Sequence, residues 1–390
     1  MNDIPVKFDA IVLGLGAMGA AAAFQLSERG MKVLGLDRYA PPHTFGSTHG
    51  ETRITRIACG EGVEFTPLAR RSHEIWRALE ARTGKSLMTL NGLAVIESRN
   101  GAAVHGNPQF LGTTVEAAER AGIDYEMLSA AEFRARSPAF NAGTSDRIYF
   151  DRSAGFVRPE RCVEAQLALA RENGAALHFG ETAISFTQNG AGVRVVTDRT
   201  AYDAEHLIVA AGPWLPELLP EAKDSRPEIL RQVIHWFPIK DKSTFRDYAP
   251  ERFPVFVWQV PKLQIVYGFP ALGDAEEGIK LGTEQYVSAT TAQNVERTVS
   301  AEETRATFET YVEPCFPGVA PDAIRSAVCL YTYRPGARFI IDRHPEMDRV
   351  FVVSACSGHG FKHSAAIGEA LAKAILGEPH LDWSAFRFGG

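Results

Sequence analysis

The segment Gly14-Leu15-Gly16-Ala17-Met18-Gly19 constrains this chain more than any other. Before it, residues 8–13 are a continuous apolar run, the pattern of a buried strand. After it, an alanine-rich stretch at 17–29 reads as a helix, with Gly30 as its C-cap. A second strand at 32–37 ends on Asp37, 23 residues after Gly14. In such a unit the first glycine makes a tight turn and the second lets a pyrophosphate approach the backbone. The third lets helix pack on strand. The helix N-terminus offers N–H donors and a positive dipole end to phosphates, and the acid accepts from ribose hydroxyls. A glycine-rich turn alone is common; strand, helix and acid together make the chain a dinucleotide binder.

The 390 residues suit two or three domains, and 45% hydrophobic with 23% charged residues exclude a disordered, fibrous or multi-spanning membrane protein. A net charge of −6 without clustered Lys and Arg argues against a nucleic-acid partner. The five cysteines are odd in number and lack C-x-x-C spacing, which fits a reducing compartment better than a disulfide framework or zinc ribbon. Residues 10–24 are apolar or Gly like a signal-peptide core, yet Asp3, Lys7 and Asp9 give them a net negative flank. The run is also too short to span a bilayer. The expectation is a cytoplasmic protein with no membrane partner.

Further along, helices are expected at 67–82, with Leu68, Ile75, Trp76 and Leu79 on one face, and at 161–173. Strands at 194–197 and 206–210 lead into the turn Ala211-Gly212-Pro213, which either passes close to a cofactor or merely packs tightly. From about 227 to 290 the texture changes to alternating, aromatic-rich strands, such as 255–260 and 264–267, the material of an antiparallel sheet. After about 322 the α/β character returns, with a strand at 350–354, a glycine-rich loop and a helix at 364–376. The expected fold class is α/β (α+β overall). A Rossmann-like dinucleotide-binding domain from 1–90, 155–225 and 322–390 is interrupted by an antiparallel-sheet substrate domain from 91–154 and 226–321.

Three segments carry more specific information: Gly46-Ser47-Thr48-His49-Gly50-Glu51-Thr52-Arg53-Ile54-Thr55-Arg56, Cys329-Leu330-Tyr331-Thr332 and Ser357-Gly358-His359-Gly360-Phe361-Lys362. Together they resemble the monomeric sarcosine oxidase family, which includes N-methyltryptophan oxidase and lies among the D-amino-acid-oxidase-like flavoproteins. The resemblance runs from about residue 8 to 376 and implies that the dinucleotide is FAD.

The residues themselves suit those roles. Ser47, Thr48 and Gly50 offer hydroxyls and N–H groups to a pyrophosphate. Arg53 and Arg56, three apart, share a face if they lie on a helical turn. Among small and apolar neighbours they suit an anionic ligand, one beside the flavin and one gripping a carboxylate bidentately; the alternative is a solvated basic turn. Gly358, Gly360 and Phe361 let the backbone approach a ring, and the helix that follows can stabilise negative charge on it. His359 and His363 have no third ligand near them, so no metal is expected.

A free cysteine is by default a small buried hydrophobe. The resemblance implies instead that Cys329 is bonded to the flavin 8α-methyl carbon, chemistry that needs a thiolate; Cys59, Cys162, Cys315 and Cys356 are left as packing residues. It further implies that Lys362 joins Arg56 on the substrate carboxylate, that Lys280 promotes reaction with oxygen, and that Tyr267 lines the pocket. A cation suits the second of these, because electron transfer to oxygen makes superoxide. Trp258 falls where the family often carries Met, which implies a pocket of different size.

The expected function is oxidation of a secondary, N-methyl amino acid to an imine, then aldehyde and primary amine, with hydrogen peroxide as co-product. Lys280, Arg53 and Tyr267 are the expected catalytic residues, and Arg56, Lys362, Trp258 and Glu284 the substrate-binding ones. No side-chain base is needed if the amine binds neutral. The partners are then a small-molecule substrate and oxygen, and the family name implies a monomer. A cyclic imino-acid or fructosyl-amine oxidase is the alternative on the same fold. An NAD-dependent dehydrogenase leaves Cys329 and the 358–362 loop unexplained, and a non-catalytic flavin subunit leaves Lys280 and the two arginines without use.

One departure stands out. Four residues beyond the oxygen-activating lysine, family sarcosine oxidases carry a His, and this chain has Glu284. Strand positions i and i+4 share a face, so Glu284 is expected to point with Lys280. It then either forms an ion pair with that lysine or meets a polar or cationic group on a substrate larger than sarcosine, with Trp258 stacked on it.

Overall fold

A computed structural model describes residues 8–190, 192–219, 226–261, 265–274 and 276–388. Its organising strand is Phe8–Leu13, which lies between parallel neighbours Val33–Asp37 and Ala201–Val209. Covered on both faces, such strands carry near-continuous apolar runs, as the sequence does here. Among the described residues this sheet has eight strands. Ala201–Val209 divides its pairing: its first half runs antiparallel to Gly192–Thr197, and its second half runs parallel to Met347–Ser354. The C-terminal segment thus returns to the sheet in which the chain began.

The helix Ala17–Glu28 packs against Pro159–Glu172 and Ser364–Ile375 as well as the sheet, so residues 19–27 are all buried. That explains an alanine-rich helix with little amphipathic contrast. The approach is close: a Cβ at Gly368 would lie 2.5 Å from Ala21 Cβ. The amphipathic helix expected at 67–82 is Thr66–Thr83, and its expected apolar face, Leu68, Ile75, Trp76 and Leu79, is buried.

A second sheet, nine strands among the described residues, holds the aromatic-rich middle of the chain. Glu228–Phe237 pairs antiparallel with Arg325–Tyr333 and with Ile279–Thr283, followed by Ile265–Phe269 and Val255–Gln259. Gln264, the first residue of the strand expected at 264–267, lies outside the described residues. The sheet is not wholly antiparallel, because Val255–Gln259 pairs parallel with Leu93–Glu97. A long excursion rather than a hairpin joins these two strands, so connectivity does not impose an antiparallel pair. A small third sheet joins Arg53–Thr55 and Met88–Thr89 to Gly155–Val157. The fold is α/β with a second, largely antiparallel sheet, as the sequence leads one to expect. Among the described residues, no helix is long and apolar enough to cross a membrane.

Candidate active site

A cavity opens at the C-terminal ends of the parallel strands, bordered by Leu13, Leu36, Ala210 and Val353, and runs to Val257, Ile265 and Tyr267 on the second sheet. In open α/β sheets this end of the strands is where ligands bind. The turn after the first strand is built around missing side chains. Gly14 has φ +84° and a Cβ there would lie 2.5 Å from Ala210 O, while one on Gly19 would lie 1.7 Å from Gly14 O. Asp37 borders the cavity and is fixed by two backbone donors, Leu15 N at 2.7 Å and Tyr39 N at 2.9 Å. Gly16, Ser47, Thr48 and Gly212 line the stretch beyond it. The loop carrying Ser47 is tied down from two sides, since Ser47 Oγ donates to Leu330 O and Arg53 Nη2 donates to Ser47 O at 3.0 Å.

Arg53 and Arg56 are not on a helical turn. They lie in and just beyond the short strand Arg53–Thr55, and their side chains diverge. Arg53 reaches Ser47 O and comes within 3.7 Å of Cys329 Sγ, whereas Arg56 reaches Glu61. Cys329 sits in the strand Arg325–Tyr333 with its sulfur 3.4 Å from His49 Nε2. Burial pushes the thiol pKa up, against the pull of Arg53 and Lys280. Burial and Arg53 bring His49 down to about 3, so its imidazole is neutral and is placed to share a hydrogen bond with the thiol. The sequence reading gave His49 no role, although it lies inside one of the recognised segments.

Lys280 is buried, and burial together with Arg53 holds its ammonium well below the usual lysine range. Its Nζ donates to Gly50 O and Thr52 O, both at 2.7 Å, and lies 3.9 Å from the Phe269 ring centre. The expected Lys280–Glu284 ion pair is not formed. Glu284 falls one residue past the strand Ile279–Thr283, where the two-residue alternation that would align it with Lys280 has ended. Its carboxylate instead lies 3.2 Å from His105 Nδ1 and accepts from Tyr286 OH at 2.7 Å.

Trp258 is not brought to the cavity. Its indole packs with Phe140 and Phe316 and donates to Ser98 Oγ at 3.0 Å, while the preceding residue, Val257, faces the cavity. The pleat separates neighbours onto opposite faces, and Trp258 is on the core side. Cys59, Cys162 and Cys315 are buried, but Cys356 is half-buried and borders the cavity, so it is not a plain packing residue.

Gly358, Gly360, Phe361 and Lys362 border the cavity, and at its far end Arg56 and Lys362 converge. Arg56 Nη2 lies 2.8 Å and Lys362 Nζ 3.1 Å from one oxygen of Glu61, with His359 Nδ1 and His105 Nε2 each 3.6 Å from the same atom. Burial opposes ionisation of Glu61, but Arg56 and Lys362 overcome it and hold its carboxyl well below the usual range. The two residues expected to grip a substrate carboxylate are therefore together, and they grip a carboxylate of the chain itself. Among the described residues, Arg56 Nε, Glu61 Oε2 and His359 Nδ1 have no hydrogen-bond partner although buried, which leaves polar valences for a ligand. Glu61, His105 and Tyr286 are the residues that sequence reasoning missed here.

The family model of FAD dependent oxidoreductases matches residues 9–374. The chain belongs to that family. Among its relatives, the monomeric sarcosine oxidase of Streptomyces avermitilis is 36% identical over 95% of this chain and 94% of its own. The N-methyl-L-tryptophan oxidase of Yersinia pestis is 33% identical, with 98% of each chain covered. A solved structure of NikD, described as an unusual amino acid oxidase essential for nikkomycin biosynthesis, superposes with a TM-score of 0.82 at 22% identity, covering 98% of this chain and 97% of that one, and shares the fold. The cavity of this FAD-dependent oxidoreductase fits its cofactor: a glycine turn that a Cβ would fill opens a chamber that runs from Asp37 past Ser47 and Thr48 to the 358–362 loop.

Proposed function

We propose that this chain is an FAD-dependent oxidase of secondary amino acids, N-methyl amino acids first among them. The observation that carries the reading is the convergence of Arg56 and Lys362 on one carboxylate at the end of the cavity that begins at the glycine turn. Gly14, Gly16, Gly19 and Asp37 would hold the nucleotide; Ser47, Thr48 and Gly212 border the path of the pyrophosphate; Gly358, Gly360, Phe361 and Lys362 back the ring. The eight-stranded sheet draws its strands from 1–90, 155–225 and 322–390, which supports those segments as the bulk of the FAD domain, with 91–154 and 226–321 as the substrate domain. The exception is Arg325–Tyr333, which pairs with Glu228–Phe237 in the second sheet and so belongs with the substrate domain.

FAD, when bound, supplies the acceptor for a hydride equivalent and passes the electrons to oxygen as hydrogen peroxide. The chain contributes orientation and charge. Arg56 and Lys362 exchange Glu61 for the substrate carboxylate, and Tyr267, whose hydroxyl burial keeps protonated, forms the wall beside it. Lys280 and Arg53 set the positive potential that favours reduced oxygen. Cys329 is the covalent anchor in this reading, with Arg53 stabilising the thiolate and neutral His49 orienting the sulfur. The protein is read as a cytoplasmic monomer. The test is peroxide release in air with sarcosine, N-methyl-L-tryptophan, L-pipecolate and fructosyl-glycine. Peroxide from the N-methyl amino acids supports the reading, and turnover only with NAD(H) refutes it.

A further inference from the structure

We infer that His105, oriented by Glu284 and Tyr286, takes the proton from the substrate's ammonium nitrogen before the C–H bond breaks. The inference rests on the amino-acid oxidase reading above. His105 occupies a two-residue turn in which Val104 and Asn107 exchange both backbone hydrogen bonds, at 3.1 and 2.8 Å. His105 has φ +51° and Gly106 φ +80°, the signs required by the tight hairpin turn that matches strand twist. This turn carries the imidazole into the cavity, where its Cε1 would lie 3.0 Å from a Cβ at Gly358, in the loop assigned to the ring of the cofactor.

Both oxygens of Glu284 are already engaged, one by His105 Nδ1 and the other by the Tyr286 hydroxyl. Glu284 therefore acts on the imidazole and not on the substrate. Nδ1 lies 3.2 Å from the Tyr286 hydroxyl, whose own proton goes to Glu284 Oε2, and 3.2 Å from Glu284 Oε1, so Nδ1–H has acceptors on this side and the favoured tautomer leaves a lone pair on Nε2. That Nε2 lies 3.6 Å from Glu61 Oε1, and both side chains border the cavity where the proposed function places the substrate. The groups facing His105 are Glu284 and Tyr286 on one side, Glu61 and His359 on the other, with Arg56 and Lys362 behind Glu61. A protonated His105 has Glu284 beside Nδ1 and Glu61 beside Nε2; burial raises the pKa of the Glu284 carboxyl, and the neighbouring imidazole pulls it back down.

The step balances. The secondary ammonium gives one proton to Nε2, leaving a neutral amine whose lone pair forms the C=N bond as a hydride equivalent departs to the cofactor. Water converts the iminium to aldehyde and primary ammonium, and the proton held on His105 joins the hydride equivalent and oxygen in hydrogen peroxide. Glu284 and Tyr286 are positioning residues; His105 is the group that meets the substrate.

Two measurements on the holoenzyme test this. Nitrogen NMR of histidine-labelled protein, with the His105 signals identified by their loss in His105→Asn, is expected to report the Nδ1–H tautomer, and Glu284→Gln to weaken that preference. Asn is chosen because it tolerates positive φ. Anaerobic bleaching of the flavin by sarcosine and by N-methyl-L-tryptophan is then followed against pH. In His105→Asn the rate is expected to fall about 100-fold at neutral pH, within the range for loss of a general base, and to recover in alkali as the free amine loses its own proton. Glu284→Gln is expected to fall in between. An Nε2–H tautomer, or a loss in His105→Asn that is the same at every pH, overturns the assignment while leaving the oxidase reading intact. A wild-type flavin that neither amine bleaches overturns both.

Discussion

Arg56 Nη2 and Glu61 Oε1 meet at 2.8 Å with side chains only 3% and 2% exposed, and the same oxygen lies 3.1 Å from Lys362 Nζ. Glu61 thus holds together two cations that would otherwise be buried without a counter-charge. Glu61→Gln is expected to destabilise the protein by roughly 3 kcal/mol, the scale for breaking a buried ion pair from one side. The same change frees the cations, so acetate should bind more tightly and recover part of the stability. Urea denaturation with and without acetate measures both. A variant as stable as wild type and indifferent to acetate would contradict this account of the pair.

The pH dependence of stability follows from the same carboxylate. Its folded pKa is lowered, so its stabilising share is complete above the ordinary carboxyl value near 4.3 and is lost as pH falls from there through the folded value. Wild type should lose stability more steeply than Glu61→Gln below about pH 4.3, as read from thermal midpoints across an acid series. Parallel curves would remove Glu61 from the explanation.

Lys280 behaves in the opposite sense. Burial lowers its folded pKa, so the folded state releases a proton that the unfolded state keeps, and stability rises with pH between the lowered value and the ordinary lysine value of about 10.4. Lys280→Met should abolish that rise. In turnover it should slow reoxidation by oxygen about 10²- to 10³-fold, the scale for losing one preorganised charge, while leaving anaerobic reduction within a few-fold of wild type. Stopped-flow of the two half-reactions separates these effects, and equal losses in both would refute a role specific to oxygen.

Cys329 should keep its flavin through acid precipitation. Wild-type precipitate is expected to stay yellow and Cys329→Ser precipitate to be colourless, with free flavin in its supernatant. His49→Asn, lacking the imidazole 3.4 Å from the sulfur, should couple more slowly while still binding FAD. A colourless wild-type precipitate would refute the covalent bond.

What was legible in the sequence was local. The glycine turn, its strand, its helix and Asp37 all lie between residues 8 and 37, and short-range sterics dictate them. The geometry of Arg53 and Arg56 was misread because the strand Arg53–Thr55 exists only through pairing with Gly155–Val157, about a hundred residues on. Val257 and Trp258 show a second limit. Both faces of the strand Val255–Gln259 are buried, so its composition does not say which neighbour meets the cavity, and one step of pleat parity decides it. Glu61, His105 and Glu284 converge from three separate segments with no shared motif. Only Glu284 drew notice, and its partners come from the tertiary fold.

The central claim is that a secondary amino acid delivers its electrons to a flavin held in this cavity. The most direct measurement mixes purified holoenzyme anaerobically with sarcosine or N-methyl-L-tryptophan, follows the visible flavin band, and then admits air. The account predicts bleaching by at least one of these amines, recovery on air, and one peroxide per amine oxidised. A flavin that neither amine bleaches but NADH does would contradict it.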